Sequence, residues 1–160
     1  MNQKYVTLLP FTLEETHYAL NVDCVQRVIP AAEITPLPKS PPIIRGIINL
    51  HGESVPVADT RKRLGLKPKK LSIHDIFIVA KTTSRRTIIL IADSIQIAQQ
   101  YPREMITAAD QMIGTYDYIQ GVVTLEDGLI LIHDIDIFLS LEENKQLDDS
   151  LENLNRRGDE

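Results

Sequence analysis

A short stretch of this chain occurs twice. Gly46-Ile47-Ile48-Asn49-Leu50, followed by Asp59 and Leu64, returns as Gly121-Val122-Val123-Thr124-Leu125, followed by Asp134 and Leu139. Every matched pair is 75 residues apart, with no gap. A unit that recurs at fixed spacing is one supersecondary piece used twice. The period is too long for a solenoid and occurs only twice, so the expected architecture is a pair of similar lobes. Function then belongs on their surfaces or in the groove between them.

The residues that must fill those lobes decide their class. The chain has 160 residues, of which 43% are hydrophobic, with three Phe, five Tyr and no Trp. Core building falls to Ile, Leu and Val, which favours sheets. Tyr5 to Leu13 reads as a strand interrupted by Pro10, and His17 to Val22 alternates as a half-buried strand does. Asp23 is placed to cap a short helix carrying Val25, Val28 and Ile29 at i, i+3 and i+4, stopped by Pro30. The segment from Ile34 to Pro42 holds four prolines and should run extended. Ile43 to Leu50 and Val55 to Asp59 read as strands joined around Gly52, with Gly46 as a bulge or a close backbone approach. Thr60 to Leu64 reads as one helical turn ended by Gly65.

After a polar linker from Lys67 to Asp75, strands are expected over Ile76 to Ala80, Thr87 to Ala92, Ile95 to Gln99, Tyr118 to Leu125 and Leu129 to His133. Asp134 to Leu141 is read as a closing helix. The fold class is therefore all-β with short helices, built as two packed five-stranded barrels. One domain is expected over residues 4–141, with approximate lobes 4–66 and 67–141 between which strands may be exchanged. Residues 142–160 are expected as an acidic helical or disordered tail, the last five disordered. Leu147, Leu151 and Leu154 form a narrow apolar stripe there, which suits a helix lying on the body or one that binds a partner.

Catalytic chemistry is hard to find. The four histidines, His17, His51, His74 and His133, form no HxxxH or HExxH pair, and the single Cys24 excludes a disulfide framework and a thiolate-rich metal site. His133-Asp134 reads as a strand end followed by a cap rather than half of a dyad. Asp23, Asp59, Asp93 and Asp134 each end a strand-like run, so capping explains them before catalysis does. No phosphate-cradling glycine loop is present. The net charge of -5 and the scarcity of aromatics argue against nucleic acid, and the basic run Lys67, Lys69, Lys70 reads as a solvated connection. No apolar run has the length of a signal peptide or a membrane span, so no membrane insertion and a cytoplasmic location are expected. A binding module without cofactor or metal remains.

The duplicated motif carries a resemblance. Pro41 to Asp59, with Gly46-Ile47-Ile48-Asn49-Leu50-His51-Gly52 and then Val55-Pro56-Val57-Ala58-Asp59, resembles the signature of CheW-like domains, G-x-x-N-L-R-G followed by V-P-V-x-D. Tyr18-Ala19-Leu20 leading to Val25, Thr35-Pro36-Leu37-Pro38, Arg63-Leu64-Gly65 and Gly121 with Asp134 extend the match from about Tyr5 to Leu141. The resemblance implies two SH3-like five-stranded barrels without catalytic activity. It also implies an adaptor that couples the cytoplasmic tips of methyl-accepting chemotaxis receptors to the regulatory domain of the histidine kinase CheA.

Two positions depart from the family pattern. His51 stands where N-L-R-G has Arg, and Arg27, within Val25-Gln26-Arg27-Val28, stands where V-x-E-V is commonly acidic. The resemblance places both at or near partner surfaces, and Val25, Arg27, Val28, Gly46, Asn49, His51 and Gly52 are the candidate partner-binding residues. An Arg fork is permanently charged and bidentate, whereas neutral His offers one donor and no charge. Arg27 compensates for His51 only if the fold brings the two together, and the imidazole would make partner affinity depend on pH. Equally, His51 is a hairpin residue tolerated because this copy serves a different partner. Gly46 and Gly52 have structural readings too, one for strand bending and one for a turn of positive φ. Val25 and Val28 read first as core residues of the short helix. The competing function is a divergent CheW-like interaction module in an auxiliary pathway that does not bind receptors in the usual way.

Overall fold

Long branched-aliphatic runs form the sheets. The computed structural model describes residues 4–108 and 118–158, with strands β1 (Tyr5–Leu13), β2 (Thr16–Asn21), β3 (Val25–Pro30), β4 (Ile44–Leu50), β5 (Glu53–Ala58), β6 (Ile76–Lys81), β7 (Thr87–Ala92), β8 (Ser94–Ile95), β9 (Gln99–Pro102), β10 (Ile106–Ala108), β11 (Ile119–Leu125) and β12 (Gly128–His133). Helix α1 (Thr60–Arg63) follows β5, and α2 (Leu141–Gly158) follows β12. One sheet has the order β3-β6-β7-β5-β4, the other β10-β11-β12-β2-β1-β8, with β9 also on β1.

The repeat is visible in this wiring. Hairpins β4–β5 and β11–β12 carry the two copies of the motif, and each ladder is broken by a register shift, at Ile44/Gly46 and at Ile119/Gly121. In each sheet the second motif strand pairs in parallel with the last strand of another hairpin, β5 with β7 and β12 with β2. The hairpins β1–β2 and β6–β7 are thus exchanged: each lies in the sheet that holds the motif hairpin from the other half of the chain.

The exchange explains the continuous apolar runs. Alternate residues of β6 and β7 serve two cores: Phe77, Val79, Ile89 and Ile91 fill the interior of the first sheet, while Ile78, Ala80, Ile88, Leu90 and Ala92 face the second sheet. Leu9, Phe11, Leu13, Tyr18 and Leu20 meet them from β1 and β2, and Leu8, Ala19, Tyr101, Val123, Ile130 and Ile132 fill the second interior. A strand buried on both faces has no polar face to show.

Pro10 does not interrupt β1. Its carbonyl accepts from Gln96 N (2.9 Å) in the connection between β8 and β9, so its nitrogen also points to the side where the ladder changes partner and no donor is needed. The strand expected over Ile95 to Gln99 is instead the end of β8 and the start of β9. The helix expected over Val25 to Ile29 is β3, antiparallel to β6. Its β-branched residues suit a strand, and only Val22–Cys24 turns, as a 3₁₀ segment capped by Asn21 rather than Asp23. The closing helix expected from Asp134 is a 3₁₀ turn, Ile135–Ile137, and the chain then restarts as α2.

Ser140 and Glu143 begin α2 with a reciprocal capping box, Glu143 N to Ser140 Oγ (3.1 Å) and Ser140 N to Glu143 Oε1 (2.8 Å). Leu147 of α2 is fully buried in the core between the sheets, with Leu151 and Leu154 packed beside it, and Arg86 binds Asn144 and Asp148. The helix continues through residues expected to be disordered, as far as Gly158. Lys69 does not belong to a merely solvated loop either, since its Nζ lies 3.0 Å from Asp75.

Candidate partner-binding surface

The tip of β4–β5 is set by its own sequence. Leu50 pairs with Glu53, leaving His51 (φ 52°) and Gly52 (φ 87°) as a two-residue turn with both central φ values positive, the type I′ arrangement that matches strand twist. Asn49 holds it, its Oδ1 accepting from Gly52 N at 2.8 Å. Three residues before Asn49 in β4, Gly46 (φ 152°) lets the proline-rich segment lie against the strand. Thr35 and Ile47 exchange both backbone hydrogen bonds, at 2.9 and 2.8 Å, and a Cβ at Gly46 would sit 2.2 Å from the Thr35 carbonyl oxygen. Gly121 repeats the approach more loosely, 2.9 Å from the Thr107 oxygen.

Strands β3 and β4 are the two edges of the five-stranded sheet. Across their gap Arg27 Nη1 lies 3.0 Å from His51 Nε2. A guanidinium has no acceptor, so Arg27 donates, and Nε2 must be the unprotonated nitrogen of a neutral imidazole. The fold therefore joins the two positions at which the sequence departs from the family pattern. Val25 is half-buried against the core between the sheets, while Gln26, Arg27 and Val28 are exposed, Val28 at 38%. Neither valine belongs to a helix core. Among the described residues Arg27 has no carboxylate within ion-pair distance, whereas Arg61 has two and Arg63, Arg86 and Arg156 have one each.

Elsewhere the titratable residues are structural. Asp59 and Asp134 cap as expected, accepting from Lys62 N and Asp136 N at 3.0 Å each. Asp93 caps nothing. It joins Arg61 (2.5 Å) and Glu14 N (2.7 Å), while Arg61 also reaches Glu14 (2.9 Å), tying the β1–β2 turn to α1. Arg63 links Tyr118 and Glu143 across the other end of α1. Sequence reasoning missed both arginine networks, whose partners are far apart in the chain, though S-x-x-E at Ser140 was a readable signal for the start of α2.

Among the described residues no dyad forms at His133, whose buried ring nitrogens have no hydrogen-bond partner there. Burial pushes the Cys24 thiol up to about 11, which leaves it a poor nucleophile at neutral pH. Among the described residues no three His, Cys, Asp or Glu side chains are arranged to hold a metal ion. What the surface offers is a strand edge, a hairpin tip held by Asn49 and an Arg27 charge with no acidic partner among the described residues.

A model of the CheW-like domain matches residues 7–143. The chain belongs to the CheW-like domain family. It is 30% identical over 134 residues to the chemotaxis protein CheW of Thermotoga maritima, an alignment covering 83% of this chain and 87% of that one. Against CheW of Treponema pallidum it is 29% identical over 157 residues, covering 92% and 89%. The crystal structure of the scaffolding protein TtCheW from Thermoanaerobacter tengcongensis shares the fold, with TM-score 0.77, 24% identity and coverage of 86% of this chain and 94% of that chain. The family match spans both motif hairpins and both sheets.

Proposed function

We propose that this protein is a non-catalytic adaptor of a cytoplasmic chemosensory array, coupling the tips of methyl-accepting chemotaxis receptors to the regulatory domain of a CheA-family histidine kinase. The observation that carries this reading is the family match over residues 7–143, which includes the Gly46–Asp59 hairpin at the sheet edge. Val25, Arg27, Val28, Gly46, Asn49, His51 and Gly52 form its partner surface in two roles. Gly46, Asn49 and Gly52 shape the edge and the turn, while Arg27, Val28 and His51 are displayed. Among the described residues no helix is long and apolar enough to cross a membrane, so recruitment would be by protein contact.

A second reading has its own support. The Arg27–His51 pair puts a cation and a neutral ring where the family pattern has an acid and a cation, which favours a divergent module that does not take receptors in the usual way. Calorimetric titration with the kinase regulatory domain, the receptor tip and both together separates the readings. Binding to both is expected for the adaptor. Binding to the kinase alone selects the divergent module, and binding to neither by folded protein overturns the coupling role.

A further inference from the structure

We propose that Arg27 and His51 form a carboxylate-reading site, and that its hold on an acidic side chain of a docked protein tightens as His51 takes up a proton. This rests on the reading of the β3–β4 edge as a partner surface and adds the chemistry of what that partner presents.

Arg27 is positioned but not neutralised. The hydrogen bond to His51 Nε2 fixes its guanidinium across the gap between two sheet edges, and His51 sits on a type I′ turn that Asn49 holds in place. Only one of the five N–H donors is used by that contact, so a forked pair remains for an incoming acceptor. Among the described residues Arg61, Arg63, Arg86 and Arg156 already have carboxylate partners, in a chain whose net charge is -5. Charge complementarity at this edge therefore selects an Asp or Glu, and exposed Val28 on the same strand offers apolar contact to a neighbouring residue of the partner.

The groups around His51 set the sign of the pH effect. Arg27 faces it from β3, Glu53 follows it in the hairpin, and Glu33 lies exposed in the segment that leads to the Thr35–Ile47 bridge. Strand β6 sets Val79 against Arg27 and adds no charge there. Protonation removes the Nε2 acceptor and brings two cations together at this edge. A seated carboxylate compensates both cations. Binding then promotes proton uptake, and by linkage affinity must rise as pH falls through the histidine range.

The test uses the full chain, Arg27→Gln, and His51→Asn, which preserves the left-handed turn. Calorimetry with the receptor tip and with the kinase regulatory domain at about pH 6 and about pH 8 should show the wild type binding one of them about three- to tenfold tighter at the lower pH. His51→Asn should lose that slope, and Arg27→Gln should weaken binding at both values. An equal slope in His51→Asn, or unchanged affinity in Arg27→Gln, overturns the proposal while leaving the coupling role standing. If the wild type binds neither protein, the coupling role falls, and NMR titration with a blocked Glu-containing peptide and its Gln counterpart decides the site alone. Shifts of the Arg27 and His51 side-chain resonances with the Glu peptide only support the site, and equal or absent shifts overturn it.

Discussion

His133 should make the fold acid-sensitive in a defined window. It ends β12 at 2% exposure, ringed by Tyr18, Phe11 and Phe138 at centroid distances of 5.0, 5.7 and 6.1 Å, and neither nitrogen has a hydrogen-bond partner among the described residues. Burial pushes its pKa down to about 4, from the value near 6.5 that the unfolded chain recovers. Above about pH 7 the ring is neutral in both states and costs no protonation energy. As pH falls from about 6.5 to 4 only the unfolded state takes the proton, so stability is lost by roughly 1.4 kcal/mol per unit. Below that both states are protonated and the loss stops. The window spans about 2.5 units, or about 3 kcal/mol, a large part of the 5–15 kcal/mol typical of a domain. His133→Leu keeps the bulk, removes two unsatisfied nitrogens and cannot titrate. It should be at least as stable as wild type at neutral pH and lose about 2–3 kcal/mol less on acidification. Urea unfolding followed by far-UV circular dichroism at several pH values measures both. Carboxylates titrate in the same region, but they are common to the two proteins and cancel in the difference. Parallel loss of stability in wild type and variant would refute the reasoning.

The glycines should rank by what a Cβ meets: Gly46→Ala should cost about 3 kcal/mol or more because the methyl group strikes backbone, whereas Gly52→Ala, open to solvent, should cost about 1 kcal/mol for its φ alone. Thermal melts of both, with Gly121→Ala falling between them, check the order. Asp93→Ala should destabilise by about 1–3 kcal/mol, since it leaves the Glu14 N–H without its acceptor and Arg61 with Glu14 as its one remaining carboxylate. Burial alone would raise the Asp93 pKa, but the Glu14 N–H, Arg61 and Lys69 outweigh it and hold the carboxyl below its usual value. Its contribution should therefore persist at neutral pH and vanish as pH falls through that lowered value, as denaturation of wild type and variant can show. Leu147→Ala should cost about 2–4 kcal/mol and lower the melting of the whole chain, because Leu147 is fully buried in the core between the sheets; a local loss of α2 helicity with an unchanged main transition would contradict this.

What the sequence revealed was mostly periodic or local. The 75-residue repeat fixed the two motif hairpins, and the turn at Gly52, the bulge at Gly46, the caps at Asp59 and Asp134 and the left-handed Gly65 (φ 73°) each depend on residues a few positions apart. The misread elements were those for which short patterns suit two structures. Val25, Val28 and Ile29 fit one face of a helix over five residues and equally fit a strand, and pairing with β6 decided between them. The partners of Arg61, Arg63 and Asp93 lie between 24 and 80 residues away, where no local pattern records them. Of the candidate surface, the motif located the hairpin, but only the fold could show that Arg27, 24 residues earlier, meets His51.

The hairpin exchange links this architecture to the proposed role. Each half of the chain gives β1–β2 or β6–β7 to the other half's sheet, so neither sheet is complete without residues from both. Among the described residues the core between the sheets holds 19 buried residues, against seven and six in the two sheet interiors, so more buried residues lie between the lobes than inside either. Close packing of that kind resists hinge motion, because interiors at crystal-like density transmit displacement rather than absorb it. Helix α2 adds to the restraint through Leu147 in the core and Arg63–Glu143 beside α1. A partner seated at the β3–β4 edge would thus meet a surface whose orientation relative to the second sheet is set by packing rather than by a linker. An adaptor that holds two partners at a fixed spacing needs that property more than it needs a pocket.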